Sequence, residues 1–285
     1  MDLALANKVV WITGASGGIG RALAQVFAAE GALLALHGNR AEESLRAWVE
    51  AQPWRARALV LAADVRDPAA LMECARTIRT RFGRIDVAAV NAGRWPAETR
   101  ELHELEPERL RTTLEVNLLG ALFTARAFLA SLQSTGPRPD GQGAALIFTG
   151  STAGRFGERG HADYAAAKAG LLGVVKTLKN EIVRLDPHGR VNLVEPGWTV
   201  THMARPALQE AGSIERVTRT MALRQLARAE DVARCVAWLA SPSAAAHVSG
   251  EVIGVHGGME GRLLWSEDEI DRAAILARLE HHPPE

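Results

Sequence analysis

VVWITGASGGIG, at residues 9–20, decides the fold class of this chain. Its first five residues are apolar or β-branched, as in a buried strand. Glycines at 14, 18 and 20 let the backbone approach a pyrophosphate, which then lies at the N-terminus of the helix predicted over residues 21–30. The glycine spacing differs from G-x-G-x-x-G, but strand, glycine turn and helix follow in the order of a nucleotide-binding βα unit.

Further apolar runs recur along the chain, separated by helical patterns. The predicted strands span residues 33–36, 58–63, 85–90, 144–149, 191–194 and 252–255. The predicted helices span residues 41–51, 69–82, 107–132, 164–185 and 230–239. Strands that are apolar throughout and alternate with helices indicate a parallel sheet covered on both faces. We therefore predict an α/β fold, with a single doubly wound parallel sheet and helices on both faces.

One such domain accounts for residues 1–258, and residues 259–285 form a C-terminal extension. Ser266 and Glu269 fit a capping box, which predicts a helix in this extension. Its apolar face would consist of Ile270, Ala273, Ala274 and Leu276. Inside the domain, residues 134–143 (STGPRPDGQG) are rich in helix and strand breakers and are interpreted as an exposed insertion.

Composition limits the class of partner. The chain has 33 basic and 33 acidic residues, so no charge excess favours nucleic acid or an anionic membrane. Cys74 and Cys235 are far apart and form no CxxC motif or Cys/His cluster, so we expect no metal. The N-terminus lacks a signal pattern, and no segment reaches the ~20 apolar residues of a membrane span. We expect a cytoplasmic protein that binds a small molecule and neither nucleic acid nor membrane.

Tyr164 is the only tyrosine in the chain, and Lys168 is one of four lysines. Positions four apart share a face of a helix, so the Lys168 ammonium can approach the Tyr164 phenol. A cation held there would lower the pKa of the phenol from its ordinary value of about 10. Tyr164 would then donate and accept protons near neutral pH. The alternative is a chance pair on a surface helix.

The end of the second predicted strand, LHGNR at residues 36–40, bears on the choice of cofactor. An NAD site usually has an acidic side chain about 20 residues beyond the glycine turn, where it binds the ribose 2′-hydroxyl. No acid stands here, and Arg40 could pair with a 2′-phosphate instead. We therefore expect NADP(H). NAD(H) is the alternative, in which case Arg40 is a solvated loop residue.

Several short motifs fall in one order along the chain. They are TGASGGIG at residues 13–20, Asp64, Asn91-Ala92-Gly93, Asn117, Ser151, Tyr164-x-x-x-Lys168 and Pro196-Gly197. Together they resemble the short-chain dehydrogenase/reductase family of Rossmann-fold oxidoreductases, over residues 7–258. Within that family, the overall pattern is similar to 3-oxoacyl-carrier-protein reductases and to sugar or alcohol dehydrogenases.

The resemblance implies a catalytic set of Asn117, Ser151, Tyr164 and Lys168. Tyr164 would exchange a proton with the substrate oxygen, and Ser151 would stabilise the charge that develops on that oxygen. Lys168 would lower the pKa of Tyr164 and hydrogen-bond the nicotinamide ribose. Asn117 would hold a water that connects Lys168 to solvent; alternatively, it is a helix-interior amide satisfied by the backbone.

The resemblance also implies the cofactor contacts. Together with Arg40, these contacts are Gly14, Ser16, Gly18, Ile19, Gly20, Asp64, Val65, Asn91, Gly93, Tyr164, Lys168, Pro196, Gly197, Thr199 and Thr201. Asp64 has a second interpretation, as the N-cap of the helix that follows it. On the substrate side, the resemblance implies a lid at about residues 199–226 and a carbonyl surrounded by Trp95, Phe156, Trp198 and Met203.

The implied activity is transfer of a hydride between NADP(H) and a carbonyl/secondary alcohol substrate, for which a 3-oxoacyl compound is one candidate. An NAD-dependent sugar or alcohol dehydrogenase is the first alternative, and a non-catalytic dinucleotide-sensing protein is the second. In the family, the helices predicted at residues 107–132 and 164–185 pair between subunits. We therefore expect a homo-oligomer, either a dimer or a homotetramer.

Overall fold

The computed structural model describes residues 2–209 and 211–280. Its strands are β1 (Val9–Thr13), β2 (Leu33–Gly38), β3 (Ala58–Ala62), β4 (Val87–Val90), β5 (Ala145–Thr149), β6 (Arg190–Pro196), the short β7 (Thr199–Val200) and β8 (Ala227–Arg228), and β9 (Val252–Val255). Seven of them form one parallel sheet in the order β3-β2-β1-β4-β5-β6-β9, and β7 pairs with β8 in a separate ribbon. The predicted parallel sheet is confirmed.

The strand order changes direction between β1 and β4. The chain builds the sheet outward from β1 to β3, returns to the other side of β1, and then continues outward from β4 to β9. In open α/β sheets, ligands bind outside the carboxyl ends of the strands at such a switch point. The glycine turn follows β1 and therefore lies at this position.

Helices cover both faces of the sheet. They are α1 (Gly18–Ala29), α2 (Glu42–Glu50), α3 (Pro68–Phe82), α4 (Pro107–Leu114), α5 (Gly120–Thr135), α6 (Thr152–Phe156), α7 (Ala162–Ile182), α8 (Arg205–Leu208), α9 (Ser213–Thr218), α10 (Ala229–Ala240) and α11 (Arg272–Glu280). Along β1, Val10 and Ile12 pack with α1, α2 and α10, whereas Val9 and Trp11 pack with α3, α5 and α7. Both faces are buried, which explains why the strands are apolar throughout.

The helix predicted over residues 107–132 contains an interruption that the sequence did not predict. Helices α4 and α5 continue into each other through a π-helical segment, Glu115–Leu119. The side-chain amide of Asn117 donates a hydrogen bond of 3.0 Å to the carbonyl oxygen of Thr113. In a regular α-helix that carbonyl accepts from the backbone N–H of Asn117, so the side chain competes with the helical bond and the turn widens.

The continuous helix Pro107–Thr135 is long and apolar enough to cross a membrane, with a mean hydropathy of 1.3. This helix differs from the expectation that no segment reaches the length and hydropathy of a membrane span. Phe128 and Leu132 on this helix are fully buried in the apolar layer between the helix and the sheet. This core position accounts for part of the hydropathy of the helix.

The insertion at residues 134–143 contains no buried residue, in agreement with the prediction of an exposed segment, but ion pairs also dock it on the domain. Nη1 of Arg138 lies 3.0 Å from Oδ2 of Asp86, a carboxylate that also accepts from the Val9 N–H at 2.9 Å. Nζ of Lys8 lies 3.7 Å from Oδ2 of Asp140 in the insertion. One ion pair to the buried carboxylate of Asp86 and one to the buried ammonium of Lys8 thus hold the insertion at the amino-terminal edge of the sheet, opposite the switch point.

The C-terminal extension contains the predicted helix, α11, but the cap and the apolar face differ from their predictions. The carboxylate of Glu269 accepts from the backbone N–H and hydroxyl of Ser266, as expected, but this box caps a short 3₁₀ turn rather than α11. Ile270 and Leu276 are 48% and 46% exposed, so the predicted apolar face does not pack on the domain. The end of the extension, residues 281–285, lies outside the described residues.

Candidate active site

A cleft of about 530 Å³ opens at the carboxyl edge of the sheet. Its walls come from the glycine turn, the loop after β4, the start of α6 and α7, and the segment that follows β6. Most of the predicted site residues line it, namely Gly14, Ser16, Gly18, Ile19, Gly20, Asn91, Gly93, Ser151, Tyr164, Lys168, Pro196, Gly197, Thr199 and Thr201. Five segments that are distant in sequence therefore meet around one cavity.

The glycine turn forms a cradle that side chains would block. Gly14 has a positive φ of 67°, and a Cβ on Gly20 would overlap the carbonyl oxygen of Gly14. Helix α1 begins at Gly18, and its N-cap residue Gly17 makes no side-chain capping bond. The first N–H groups of α1 are therefore available to an anion, and the backbone around them leaves room for it. These features fit the pyrophosphate of a dinucleotide.

Asn91 ties the ends of three neighbouring strands together beside the cradle. Its side-chain amide donates to the carbonyl oxygen of Thr13 at 3.1 Å, and its backbone N–H donates to the Thr13 hydroxyl at 3.0 Å. The hydroxyl of Thr149 lies 3.5 Å from the Asn91 Oδ1 atom. These contacts fix the floor of the cleft at the switch point, because Thr13, Asn91 and Thr149 belong to the ends of β1, β4 and β5.

Ser151, Tyr164 and Lys168 converge on the opposite wall. Ser151 precedes α6, and its Oγ accepts from the Ala153 N–H at 3.1 Å. Tyr164 lies in the first turn of α7 and Lys168 one turn later. The Lys168 Nζ atom lies 5.7 Å from the centroid of the Tyr164 ring and donates to the Thr149 carbonyl oxygen at 2.8 Å. The helical spacing thus brings the two side chains together, as the sequence indicated.

The pKa of Tyr164 is raised, which contradicts the expectation of a lowered value. Burial raises the pKa of Tyr164 to about 12, and a hydrogen bond with Ser151 only partly opposes this effect. Burial also lowers the pKa of Lys168 to about 8. Spacing along the helix reveals the nearby cation but not the burial of the phenol. At neutral pH, Tyr164 is therefore a protonated phenol, the form that donates a proton.

Asn117 lies behind the cleft wall and does not line the cleft. Its Oδ1 accepts from the Arg94 N–H at 3.0 Å, and its Nδ2 donates to the carbonyl oxygens of Arg94 and Thr113, both at 3.0 Å. The amide is therefore satisfied by the backbone, as the alternative interpretation held. A Cβ on Gly93 would lie 2.8 Å from Asn117 Oδ1 and 3.4 Å from Lys168 Nζ, so only this glycine separates the two side chains.

Asp64, Val65 and Arg40 also lie outside the cleft lining. Asp64 forms an ion pair with Arg66 at 2.7 Å, and the hydrogen bond from Arg66 is the main cause that lowers the pKa of Asp64 to about 2. Its interpretation as an N-cap is wrong, because Asp67 caps α3 by accepting from two backbone N–H groups. Arg40 is exposed and lies just beyond β2, which is paired with β1 beside the glycine turn.

On the substrate side, three of the four predicted residues line the cleft, namely Trp95, Trp198 and Met203. The ring of Trp95 meets the Tyr164 ring edge-on, with 4.8 Å between centroids. Phe156 is not among the cleft residues. It packs instead against a small apolar cluster formed by Val217, Met221 and Met259, so its prediction as a substrate contact is wrong.

Four cleft residues with ionisable side chains were not predicted from the sequence, namely Arg94, Glu158, His202 and Arg262. Arg94 directly follows the Asn91-Ala92-Gly93 loop, and its position could have been inferred from that loop. Arg262 lies in the C-terminal extension, beyond every motif. Only the folded chain brings it to the cleft.

Comparison with known proteins gives consistent matches over most of the chain. A family model described as enoyl-(acyl carrier protein) reductase matches residues 14–260. The 3-oxoacyl-(acyl-carrier-protein) reductase of Escherichia coli (strain K12) is 34% identical over 257 residues, which cover 89% of this chain and 97% of that protein. The cis-4-hydroxycyclohexanecarboxylate dehydrogenase of Sinomonas cyclohexanicum is 35% identical over 269 residues, which cover 90% and 98%.

Solved structures agree with these matches. The crystal structure of a short chain dehydrogenase from Burkholderia cenocepacia J2315 in complex with NADP is similar to this chain with a TM-score of 0.78 at 30% sequence identity. The similarity covers 89% of this chain and 98% of that one. Fold, cleft and sequence therefore point to the same group of proteins.

Proposed function

The chain belongs to the short-chain dehydrogenase/reductase family of oxidoreductases, and from this premise we propose that it is an NADP(H)-dependent enzyme acting on a carbonyl/secondary alcohol pair. The observation that carries the proposal is the meeting of Ser151, Tyr164 and Lys168 with the glycine cradle in one cleft. A proton donor next to a dinucleotide cradle is what reduction of a carbonyl requires.

When bound, NADPH supplies a hydride from its nicotinamide ring. We assign proton donation to Tyr164, because a pKa of about 12 keeps its phenol protonated at neutral pH. Ser151 hydrogen-bonds the same substrate oxygen and stabilises the charge that develops there. Lys168 supplies a positive charge near the phenol, which stabilises the phenolate left after proton transfer. Asn117 holds the Arg94 backbone beside Lys168, and its role in a water relay stays a prediction.

The proposal is tested by the oxidation of NADPH over a panel of ketones and oxo acids, with Tyr164→Phe as the variant. We expect kcat to fall by roughly 10²–10⁴-fold, because the general acid is removed while the ring is kept. NADPH binding, followed by fluorescence, and the circular dichroism spectrum serve as controls for folding. Turnover that is unaffected by the substitution would refute the mechanism.

We assign cofactor selection to Arg40, the only charged side chain in residues 36–40. The Burkholderia cenocepacia neighbour was solved with NADP, which supports NADP(H) as the cofactor in this proposal. Replacing Arg40 by Ala should weaken NADPH binding by about tenfold and leave NADH binding unchanged, because only NADPH carries the 2′-phosphate. Arg46→Ala on the neighbouring helix is the matched control. Equal loss for both cofactors would refute the role of Arg40.

The names of the relatives suggest two kinds of substrate. The Escherichia coli relative is named a 3-oxoacyl-(acyl-carrier-protein) reductase, in accord with the 3-oxoacyl candidate from the sequence. The Sinomonas relative is named for a secondary alcohol on a ring that bears a carboxylate, which favours an alcohol dehydrogenase as the second candidate. Comparing the activity on a 3-oxoacyl thioester with the activity on a free oxo acid distinguishes these two candidate substrates.

We further propose that the chain forms a homo-oligomer through the helices around α4–α5 and α7. Leu119, Leu172 and Val183 on these helices are 39–44% exposed in the single chain, although they are large and apolar. Light scattering that gives the mass of a monomer at micromolar concentration would refute this proposal. A cytoplasmic location, a catalytic domain over residues 1–258 with a lid at about 199–226, and a separate extension over 259–285 stay predictions.

A further inference from the structure

Arg262 reaches the cleft from the segment that follows the last strand of the sheet. This segment is bonded to the end of the lid region: the Leu223 N–H donates to the Gly257 carbonyl oxygen at 2.9 Å, and the Glu260 N–H donates to the Thr220 carbonyl oxygen at 3.1 Å. The backbone before Arg262 and the backbone at residues 220–223 therefore form one unit beside the cleft. A ligand that binds Arg262 contacts this unit directly.

The guanidinium of Arg262 is largely buried, with the side chain 15% exposed. Nη2 donates to the Thr152 hydroxyl at 3.3 Å, and Nη1 faces the Met259 sulfur at 2.7 Å. Nε lies 3.0 Å from the Glu158 carboxylate, but no acceptor is aligned with its N–H, so the contact is an ion pair without a hydrogen bond. The charged group also lies 5.7 Å from the centroid of the Phe156 ring.

Most N–H donors of Arg262 have no good acceptor among these contacts. A guanidinium has five N–H donors in a flat fork, and a thioether is a weak acceptor. Of the neighbours described above, only the Thr152 hydroxyl is an aligned oxygen acceptor. Donors that are buried without good acceptors are costly, whereas a carboxylate would accept two of them in parallel. The fork is therefore suited to an anionic group that enters the cleft.

The charges around the cleft agree with this. Among the described residues that line it, Arg94, Lys168 and Arg262 carry basic side chains and Glu158 is the acidic one. The ammonium of Lys168 is hydrogen-bonded to the Thr149 carbonyl oxygen. The other charged side chains of the described cleft lining are two arginines, Arg94 and Arg262, and one carboxylate, Glu158. A cleft with an excess of positive charge attracts anionic ligands.

We propose that Arg262 binds a carboxylate of the substrate, and that the substrates of this enzyme are therefore oxo acids and the matching hydroxy acids. The inference rests on the proposed function, since it places the reacting carbonyl beside Ser151. Thr152 directly follows Ser151, so Arg262 lies one residue from the group that would hold the substrate oxygen. Ser151 and Arg262 both line the cleft of about 530 Å³, so one small molecule in the cleft can contact both. Glu158 forms an ion pair with the guanidinium at 3.0 Å and therefore competes with the substrate carboxylate for it.

The test compares acids with their neutral methyl esters. NADPH oxidation is measured with 4-oxocyclohexanecarboxylate, acetoacetate and the methyl ester of each, and selectivity is the ratio of kcat/KM for acid over ester. We expect Arg262→Met to lower this ratio about 10–100-fold through KM of the acid, because a charge-assisted pair is lost. Arg262→Lys should restore part of it. Arg159→Met, at an arginine that is 76% exposed, is the matched control and should leave the ratio unchanged.

Glu158→Gln distinguishes recognition from a merely structural ion pair. If Glu158 competes with the substrate, its neutralisation should lower KM for the acids severalfold and leave KM for the esters unchanged. If the Glu158–Arg262 ion pair only holds the C-terminal extension in place, Glu158→Gln and Arg262→Met should lower kcat/KM for acids and esters alike. That result would overturn the inference.

Failure of the inference can be told apart from failure of the proposed function. Equal reduction of acids and esters, with no change of ratio in Arg262→Met, would overturn the role of Arg262 and leave the reductase assignment intact. If none of the four compounds is reduced, calorimetric titration of each acid into the protein with NADP⁺ decides the role of Arg262 separately. Binding that is lost in Arg262→Met supports the inference, and equal binding overturns it.

Discussion

The ammonium nitrogen of Lys168 donates a hydrogen bond of 2.8 Å to the carbonyl oxygen of Thr149. Thr149 ends β5 and Lys168 lies on α7, so this bond holds the helix against the carboxyl edge of the sheet. Burial of the ammonium lowers the pKa of Lys168 to about 8. At neutral pH the folded protein therefore holds a buried positive charge in its candidate site, and this lowers its free energy of unfolding.

This cost predicts a pH dependence of stability. The pKa of Lys168 is 10.5 when the group is in water and about 8 in the folded chain, so the unfolded state binds more protons between these values. Stability should rise as pH increases through this window, because the folded chain sheds the buried charge first. Lys168→Met should therefore stabilise the protein more at about pH 7 than at about pH 10, by on the order of 3 kcal/mol.

Urea unfolding at the two pH values measures this difference. Lys176→Met, at an exposed lysine on the same helix, is the control and should have a similar effect at both pH values. An effect of Lys168→Met that is independent of pH would contradict the assigned cause.

A second prediction concerns the alkaline limit of reduction. Burial holds the pKa of Tyr164 at about 12, so the phenol keeps its proton through the alkaline range. Lys168 loses its charge at a pKa of about 8, and the phenolate formed in the reaction then lacks a cation. The kcat/KM for reduction should fall above about pH 8, and Lys168→Arg should move the fall to higher pH. A fall that stays in place in Lys168→Arg would assign it to another group.

The third prediction concerns the buried carboxylate that joins α4 to α7. Asp163 is fully buried, and its Oδ2 accepts from Thr113 at 2.9 Å and from Arg109 at 3.1 Å. Asp163→Asn should destabilise the protein by about 3 kcal/mol, because it leaves the partly buried Arg109 without its charge partner. Glu108→Gln, at an 81% exposed carboxylate on α4, should change stability by less than about 0.5 kcal/mol.

The same carboxylate predicts an acid limit. Burial alone would raise the pKa of Asp163, but hydrogen bonds from Arg109, Thr113 and the Tyr164 N–H together outweigh it and lower the pKa below its ordinary value of 3.8. The stabilisation is therefore present above that value and is lost as pH falls through the folded pKa. Acid unfolding followed by circular dichroism should begin at higher pH and be less steep in Asp163→Asn. An unchanged acid transition would show that Asp163 does not contribute to it.

Local patterns predicted the sheet and most of the cleft. The strands are short apolar runs that end in glycine, asparagine or proline, and the carboxyl ends of parallel strands meet at one edge of a sheet. Residues such as Gly18, Asn91 and Ser151, which follow those strands, therefore had to lie close together. Tyr164 and Lys168 could be paired because helical spacing is fixed by the backbone.

Features that depend on long-range packing could not be predicted. The raised pKa of Tyr164 follows from the packing of the folded chain around the phenol, which spacing does not reveal. The π-helical segment arises because the Asn117 side chain takes a carbonyl that its own N–H would use. Arg138 meets Asp86 across 52 positions, and Arg262 meets Thr152 across 110. No local pattern marks such partners.

The docked insertion gives a fourth prediction. Arg138→Met removes one of two arginines that neutralise the buried carboxylate of Asp86, the other being Arg84 at 2.6 Å. Stability should fall by roughly 1–3 kcal/mol, as expected when a buried carboxylate loses a charged hydrogen bond. The kcat for any substrate should stay unchanged, since the insertion lies at the opposite edge of the sheet from the cleft. Urea unfolding and NADPH oxidation measure the two effects, and a change in kcat would contradict this separation.

The last prediction tests the glycine cradle with a matched pair of glycines. A Cβ on Gly20 would overlap the Gly14 carbonyl oxygen and lie 2.7 Å from the Ala15 Cα atom, so the turn itself must shift to admit it. A Cβ on Gly173, in α7, would meet nothing within 4 Å. Gly20→Ala should weaken NADPH binding at least tenfold, because the helix N-terminus no longer fits the pyrophosphate.

Gly173→Ala should leave binding unchanged and raise stability by up to about 1 kcal/mol, since alanine favours a helix interior. Fluorescence titration with NADPH measures the first effect and urea unfolding the second. Because both substitutions add one methyl group to a helical glycine, a difference between them isolates the close backbone contact at residue 20. Wild-type affinity in Gly20→Ala would mean that the dinucleotide binds elsewhere on the chain.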